Sequence, residues 1–456
     1  MSRPKTVLAV DLGATSGRVA AVDLTASEPT VEVVHRWANA PVVAADGSLR
    51  WDWAMLTGEV ERGLGVALDR GPVASIGVDG WGVDYGLIDE SGALVTAPYS
   101  YRDRRTDGWR SIVERVGAEK LYGITGIQLM GINTIFQLAA HLDADRPTLE
   151  RANRALLLPD LLVNQLTGWI GAERSNASTT GLLDAQTGQW SPELLDDLGL
   201  PANLLPTPVS LAGSAVGRWR GVPVNLVGSH DTASAFLGMP GGGEPGTVFV
   251  STGTWIIVGI ELPEADTSNA VAKANFSNEA GAFGGVRLIK NVVGFWLLEQ
   301  CRPGWGEPPV ELLFAEASAV DNTPLFDARD ERFVSPVDME AEIRHAAGLG
   351  PDAERAVVVR SIVESMAAGV AGVVDELRSL GAAVPQRLAI TGGGARSELL
   401  RQALERHCGL PVLVGSTEAT ALGNAMAQGV AIGHFAAPAE GRSWIANATV
   451  GSVYGD

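Results

Sequence analysis

The chain has 456 residues, 46% of them hydrophobic, with 53 acidic side chains against 34 Lys and Arg and a formal net charge of −19. That length exceeds one compact core and predicts two lobes. The negative charge argues against nucleic acid and anionic membrane as partners, but not against a nucleotide held locally by backbone N–H groups and a divalent cation. Cys301 and Cys408, in no C-x-x-C pattern, exclude a disulfide framework and a zinc cluster and fit a reducing compartment. The sequence passes from Met1 into strand-like residues at Val7, and no apolar run reads as long enough to cross a bilayer. The expectation is therefore a cytoplasmic protein without a signal peptide.

Residues 7–24, VLAVDLGATSGRVAAVDL, read as strand, glycine-bearing turn and strand. Residues 73–79 predict a short buried strand, 80–84 a turn, and 85–88 another strand. Helical character follows near 107–122, 133–142 and 156–166, and the polar stretch 174–184 reads as a loop. Residues 222–227 form a buried-type strand that runs into Gly228-Ser229-His230-Asp231-Thr232. The Gly- and Pro-rich run 239–246 is the strongest punctuation, and it predicts lobes of 1–240 and 241–456. Immediately after it, residues 247–262 repeat the opening pattern: Ser251-Thr252-Gly253-Thr254-Trp255 corresponds to Asp11-Leu12-Gly13-Ala14-Thr15. A long helix over 356–380, a strand over 387–391, the glycines 392–394, a helix over 397–407, a strand over 411–414 and a small-residue helix over 419–432 complete an α/β pattern.

Two hairpins with Gly, Ser and Thr in their turns suit a polyphosphate, because glycine lets backbone approach and N–H and hydroxyl groups ring anionic oxygens. Asp11, at a strand end, suits a hydrated magnesium ion beside those phosphates. Gly392–Gly394 between strand and helix suits close approach of a base or ribose, with a plain tight turn as the alternative. Asp231 can accept a proton from a sugar hydroxyl, or simply cap its helix. Gly80-Trp81-Gly82 suits a sugar pocket, against ordinary Trp packing. The cluster Tyr101–Arg105 reads as a solvated ion-pair face.

Together these segments resemble the FGGY-type carbohydrate kinases. The resemblance spans nearly the whole chain through DLGATSGR, SIGVDGWGVDYGLID, YRDRRT, SNASTTGLLD, GSHDTASA, STGTW, TGGGARSELL and STEATALGN. It implies two actin/hexokinase-like (ribonuclease-H-like) lobes with an ATP and sugar cleft between them. Within the family the similarity is strongest to members acting on L-rhamnulose, and it implies ATP- and Mg2+-dependent phosphorylation of that ketose at O1. By motif, Asp231 matches the general base, with His230, Thr232, Gly82 and Asn291 in contact with the sugar. Ala14, Thr15, Ser16, Gly17 and Arg18 match the nucleotide phosphate loop, Thr254 the second loop and Gly393 the adenosine site. Glu299 stands where the family pattern has an ATP-contacting Gln. Kinases of L-fuculose, D-ribulose or D-xylulose keep the same chemistry, and a non-catalytic sugar sensor on this fold is the reading from another class.

Overall fold

In the computed structural model, residues 5–334 and 336–449 are described. The chain falls into two compact units: Met1–Gly238 with Glu261–Leu288 and Glu418–Asp456, and Met239–Ile260 with Ile289–Thr417. Two later segments thus return to the first unit rather than staying with the second.

The first unit is built on β1 (Thr6–Leu12), β2 (Ser16–Asp23), β3 (Val31–Ala38), β4 (Ser75–Gly80), β5 (Ala215–Trp219) and β6 (Val222–Asn225). Their order in the sheet is β5-β6-β4-β1-β2-β3. β1, β2 and β3 form an antiparallel meander, while β4 runs parallel to β1 and β6 parallel to β4. Central parallel strands are covered on both faces, so β1 and β4 read as near-continuous buried runs instead of alternating ones. Alternation survives in which face each residue packs on. Leu8, Val10 and Leu12 join a core with the helices Trp53–Arg70 and Leu158–Thr167, whereas Val7 and Ala9 meet the helix Ala419–Ala431.

That last helix explains why the C-terminal segment belongs here. A Cβ at Gly423 would lie 1.8 Å from the Ser234 carbonyl oxygen, and one at Gly238 would lie 1.9 Å from the Ala419 carbonyl oxygen. The helices Asp231–Leu237 and Ala419–Ala431 therefore meet backbone to backbone, which the small residues of 419–432 permit. Gln428 Nε2 donates to the Leu8 carbonyl (2.9 Å), and Asn424 Nδ2 donates to Asp79.

The second unit repeats the plan with β7 (Thr247–Thr252), β8 (Trp255–Leu262), β9 (Val286–Val293), β10 (Arg387–Gly392) and β11 (Val412–Val414). Their order is β9-β8-β7-β10-β11. β7 and β8 are antiparallel, and β10 and β11 continue in parallel from β7. The duplication inferred from sequence is therefore one of topology: hairpin, then parallel strand, on each sheet.

The helix Arg355–Ser379 is long and apolar enough to cross a membrane by length and composition, which corrects the expectation that no run is. It is packed as a core helix of the second unit, with 72% of its apolar window buried, against the helix Glu398–Cys408 among others. Two further expectations change. Residues 174–184 are not a loop throughout but begin with the short helices Arg174–Ala177 and Ser178–Thr180, because Glu173 accepts from the N–H groups of Ser175 and Asn176. Leu156 and Leu157 belong to the strand Arg154–Leu157 that pairs with Tyr85–Ile88, and the helix begins at Leu158.

The Gly423→Val variant is expected to lose about 3 kcal/mol or more of stability, since backbone rather than a movable side chain fills the added volume. Gly58→Ala, on an exposed helical position where a Cβ meets nothing within 4 Å, is expected to gain about 0.5–1 kcal/mol. Urea unfolding of both variants checks the pair.

Candidate active site

In the first unit the predicted residues gather at the C-terminal ends of the parallel strands, where open α/β sheets place ligands. Asp11 on β1 is in register with Asp79 on β4, and Gly80 bridges in parallel to His230. The Gly80 N–H donates to the Ser229 carbonyl (2.9 Å) and the Trp81 N–H to the Leu12 carbonyl (3.1 Å). Asp11, Asp79 and the 229–231 turn are thereby locked side by side.

Burial and the neighbouring charge of Asp11 raise the proton affinity of Asp79 and Asp231. Burial, and then the charge of Asp11, holds Asp79 well above the usual carboxylate range, against the Asn424 hydrogen bond. Asp231 is also raised, chiefly by burial and further by Asp11, with His230 pulling the other way. Arg18 answers part of this charge: Nη2 lies 2.6 Å from Asp11 Oδ2 and Nη1 lies 2.5 Å from Glu418 Oε2. Burial alone would lower the Arg18 pKa, but these two carboxylates outweigh it and raise it.

Asp231 opens the helix Asp231–Leu237 as its first residue, and the N-cap is His230, which makes no side-chain capping bond. The capping alternative for Asp231 is thereby removed. Its carboxylate accepts from Thr232 Oγ1 (3.1 Å) and lies 3.5 Å from His230 Nε2. Beneath the turn, the fully buried Glu173 accepts from Ser229 N (3.0 Å) and Ser229 Oγ (2.9 Å), while Ser175 Oγ receives the His230 N–H (3.3 Å).

Gly82 is needed for space: a Cβ there would meet Thr179 Oγ1 at 2.9 Å and Asn176 Oδ1 at 3.3 Å. Asn176 is fully buried and its Nδ2 has no hydrogen-bond partner, leaving a donor beside Gly82. Trp81 follows the packing alternative, since it is buried and donates Nε1–H to Asp84 (3.0 Å). Asp84 also accepts from Trp51 Nε1 (2.6 Å), Gln137 Nε2 (3.1 Å) and Tyr101 N (3.2 Å), which braces the 82–84 turn.

The first hairpin is held by Asn39, whose N–H donates to the Thr15 carbonyl and Nδ2 to the Gly13 carbonyl, both 2.9 Å. This leaves Gly13, Ala14 and Thr15 in the turn, with Ser16 opening β2 and Gly17 under the Trp37 ring, where a Cβ would come within 2.1 Å of a ring carbon.

The second unit gathers its own set. The turn of Gly253 and Thr254 accepts from the N–H groups of Gly294, Phe295 and Trp296 (3.1, 2.9 and 3.2 Å), and Thr252 Oγ1 receives the Gly394 N–H (3.0 Å). Gly392 sits at φ 85° against the Thr252 carbonyl, whereas a Cβ at Gly393 meets nothing within 4 Å. Thr254 is exposed, and Asn291 is half-buried on β9. Glu299 is exposed, with Arg302 Nη1 2.7 Å from its carboxylate. The first unit thus collects Asp11, Ala14–Arg18, Gly82 and His230–Thr232, and the second collects Thr254 and Gly393 around one hydrogen-bonded corner.

Sequence reading missed Asp79, Glu173, Asn176, Glu279 and Glu418. Asp79 carried a signal, since V-D-G after a strand echoes V-D-L-G at Asp11. The others lie far along the chain from the residues they support, and only the fold brings them in.

A model of the N-terminal domain of the FGGY family of carbohydrate kinases matches residues 6–238, and one of its C-terminal domain matches 248–432. A rhamnulokinase of Pectobacterium carotovorum subsp. carotovorum is 39% identical over 442 residues, covering 94% of this chain and 88% of that protein. One from Bacteroides thetaiotaomicron is 36% identical over 441 residues, covering 93% and 90%. Among solved structures, gluconate kinase from Lactobacillus acidophilus matches at TM-score 0.81 and 14% identity, over 96% of this chain and 92% of that one. Plasmodium falciparum glycerol kinase with ADP matches at 0.78 and 16%, over 97% and 92%. The duplicated hairpin-and-sheet units are those of sugar kinases with the actin/hexokinase-like fold. The chain belongs to the FGGY family of carbohydrate kinases.

Burial, opposed by hydrogen bonds from Trp81, Trp51, Gln137 and Tyr101, pushes Asp84 up to about 6. The unfolded chain then releases this proton at lower pH than the folded one, so this group's contribution to stability falls as pH rises from about 4 to above 6. Wild type compared with Asp84→Asn is expected to lose ~3 kcal/mol of relative stability across that window. Urea unfolding at pH 4 and pH 7 measures it, and a pH-independent difference is the contrary result.

Proposed function

We propose that the protein transfers the γ-phosphoryl group of ATP to O1 of L-rhamnulose, giving L-rhamnulose 1-phosphate and ADP. The sugar is argued from the rhamnulokinase relatives, which match over nine-tenths of the chain. The observation that carries the chemistry is Asp231, whose carboxylate stands free of capping at the start of its helix, next to the His230 that bridges to Gly80 at the end of β4.

Phosphoryl transfer needs in-line placement of a hydroxyl, neutralised phosphoryl charge and exclusion of water. Asp231 orients the attacking hydroxyl and accepts its proton, a role favoured by a carboxylate whose proton affinity is raised. His230, Thr232, Gly82 and Asn291 contact the sugar. Ala14, Thr15, Ser16, Gly17, Arg18 and Thr254 hold phosphate oxygens, Gly393 admits the adenosine, and Glu299 takes the place of the family's Gln. Functionally the chain divides near residue 240, with the base before it and the adenosine site after it.

The donor set fits magnesium of the water-rich kind. Among the described residues no cluster of three or more His, Cys, Asp or Glu forms a protein cage, and magnesium bound to a nucleotide needs only one or two carboxylates. Asp11 would hold the ion through oxygen, in competition with Arg18, and the ion would neutralise charge on the phosphates when bound.

ADP release with Mg-ATP over L-rhamnulose, L-fuculose, D-ribulose, D-xylulose and glycerol tests the reading, with a strong preference for L-rhamnulose expected. Preference for another ketose overturns the sugar, and binding without turnover favours the sensor. Asp231→Asn is expected to abolish transfer while leaving ATP affinity nearly unchanged. In wild type, kcat/KM for the ketose is expected to fall on acidification at a pH above the ordinary aspartate range, because Asp231 must be ionised to act and burial raises its pKa.

A further inference from the structure

A buried ion pair stands behind His230 and is not required by the scheme above. Glu279, on the strand Ser277–Ala280, places Oε2 3.0 Å from His230 Nδ1 and 2.9 Å from Arg287 Nη2. Arg287 is only 1% exposed. On the other side of the imidazole, Nε2 lies 3.5 Å from Asp231 Oδ1. A carboxylate, a histidine and a second carboxylate thus stand in a row, all within the first unit.

The proton position follows from electrostatics. A bare Nδ1 would point its lone pair at a carboxylate oxygen 3.0 Å away, which is repulsive, whereas Nδ1–H donates to it. Arg287 Nη2 lies 3.3 Å from Nδ1, but its shorter contact is to the Glu279 oxygen that the imidazole also meets. Asp231 faces the other nitrogen at the longer distance of 3.5 Å, so the closer contact to Glu279 decides which nitrogen carries the proton, and Nδ1–H toward Glu279 leaves Nε2 on the Asp231 side.

We propose that Glu279 is a positioning residue: it fixes the tautomer and ring orientation of His230, so that Nε2 faces Asp231 and the sugar hydroxyl. Arg287 keeps Glu279 ionised in its buried place. This rests on the kinase reading, with His230 at the sugar. The logic is that of a base oriented by a third group, carried over to a histidine that binds substrate.

Removing Glu279 alone leaves a buried unpaired guanidinium, so the informative variant is Glu279→Leu with Arg287→Met, which withdraws both charges together. Nitrogen-15 NMR of histidine-labelled protein without ligand, assigned with His230→Asn, is expected to find Nδ1 protonated in wild type. In the double variant the proton is expected on Nε2. Kinetically, kcat/KM for the ketose is expected to fall ~10–100-fold through KM for the ketose, as for a misplaced contact group. KM for ATP is expected to stay within about twofold. A bare Nδ1 in wild type, or an unchanged KM for the ketose in a folded double variant, overturns the proposal. If the double variant does not fold, the wild-type tautomer decides. Absence of turnover on every ketose overturns the kinase reading instead, and the tautomer, read without substrate, is independent of it.

Discussion

The concentration of negative charge at one sheet edge is the constraint that organises the first unit. Parallel pairing of β1 with β4, and of Gly80 with His230, forces Asp11, Asp79 and Asp231 into adjacent positions. Like charges so close are costly in a low dielectric. The surrounding structure can be understood as the compensation: Arg18 between Asp11 and Glu418, Asn424 on Asp79, and His230 beside Asp231. What remains is an edge with raised proton affinity and a cation already drawn to it.

That compensation explains why the end of the chain packs with its beginning. The helix Ala419–Ala431 covers β1 and carries Asn424 to Asp79, while Glu418, just before it, reaches Arg18. The close approach requires Gly238 and Gly423, whose backbones take the place of side chains. Stability and the electrostatics of the candidate site therefore share one helix–helix contact. A change to the packing is also a change to the charge balance.

The second unit uses the same hairpin for a different end. Its turn carries no carboxylate like that of Asp11; Gly253 and Thr254 are held by three backbone N–H groups, and the glycine run holds Thr252. Duplication of a scaffold followed by divergence of the strand-end residue accounts for this. The first copy carries a carboxylate at its strand end, and the second carries none there.

The opening hairpin, its repeat at 247–262 and the α/β alternation that follows were legible in the sequence, because buried parallel strands are continuous apolar runs and the turns announce themselves by Gly, Ser and Thr, whereas the strand Val31–Ala38 and the helix Trp53–Arg70 were not, and the family was legible only through its motifs. The residues proposed to act, Asp11 and Asp231, were legible from their places beside glycine-bearing turns: Asp11 near the end of β1, and Asp231 at the start of a helix after the Gly228-Ser229-His230 turn. The polar segment after Glu173 was read as a loop because Ser, Thr and Asn favour turns in isolation, whereas here Glu173 accepts from the first N–H groups and starts a helix. The apolar helix Arg355–Ser379 shows the converse, since hydropathy does not distinguish a core from a bilayer. What only the tertiary structure decided is which distant side chains meet: Glu418 with Arg18, Asn424 with Asp79, and Glu279 with His230. Local periodicity fixes elements, whereas such pairs depend on strand register and helix approach between segments tens to hundreds of residues apart, and no local pattern encodes those.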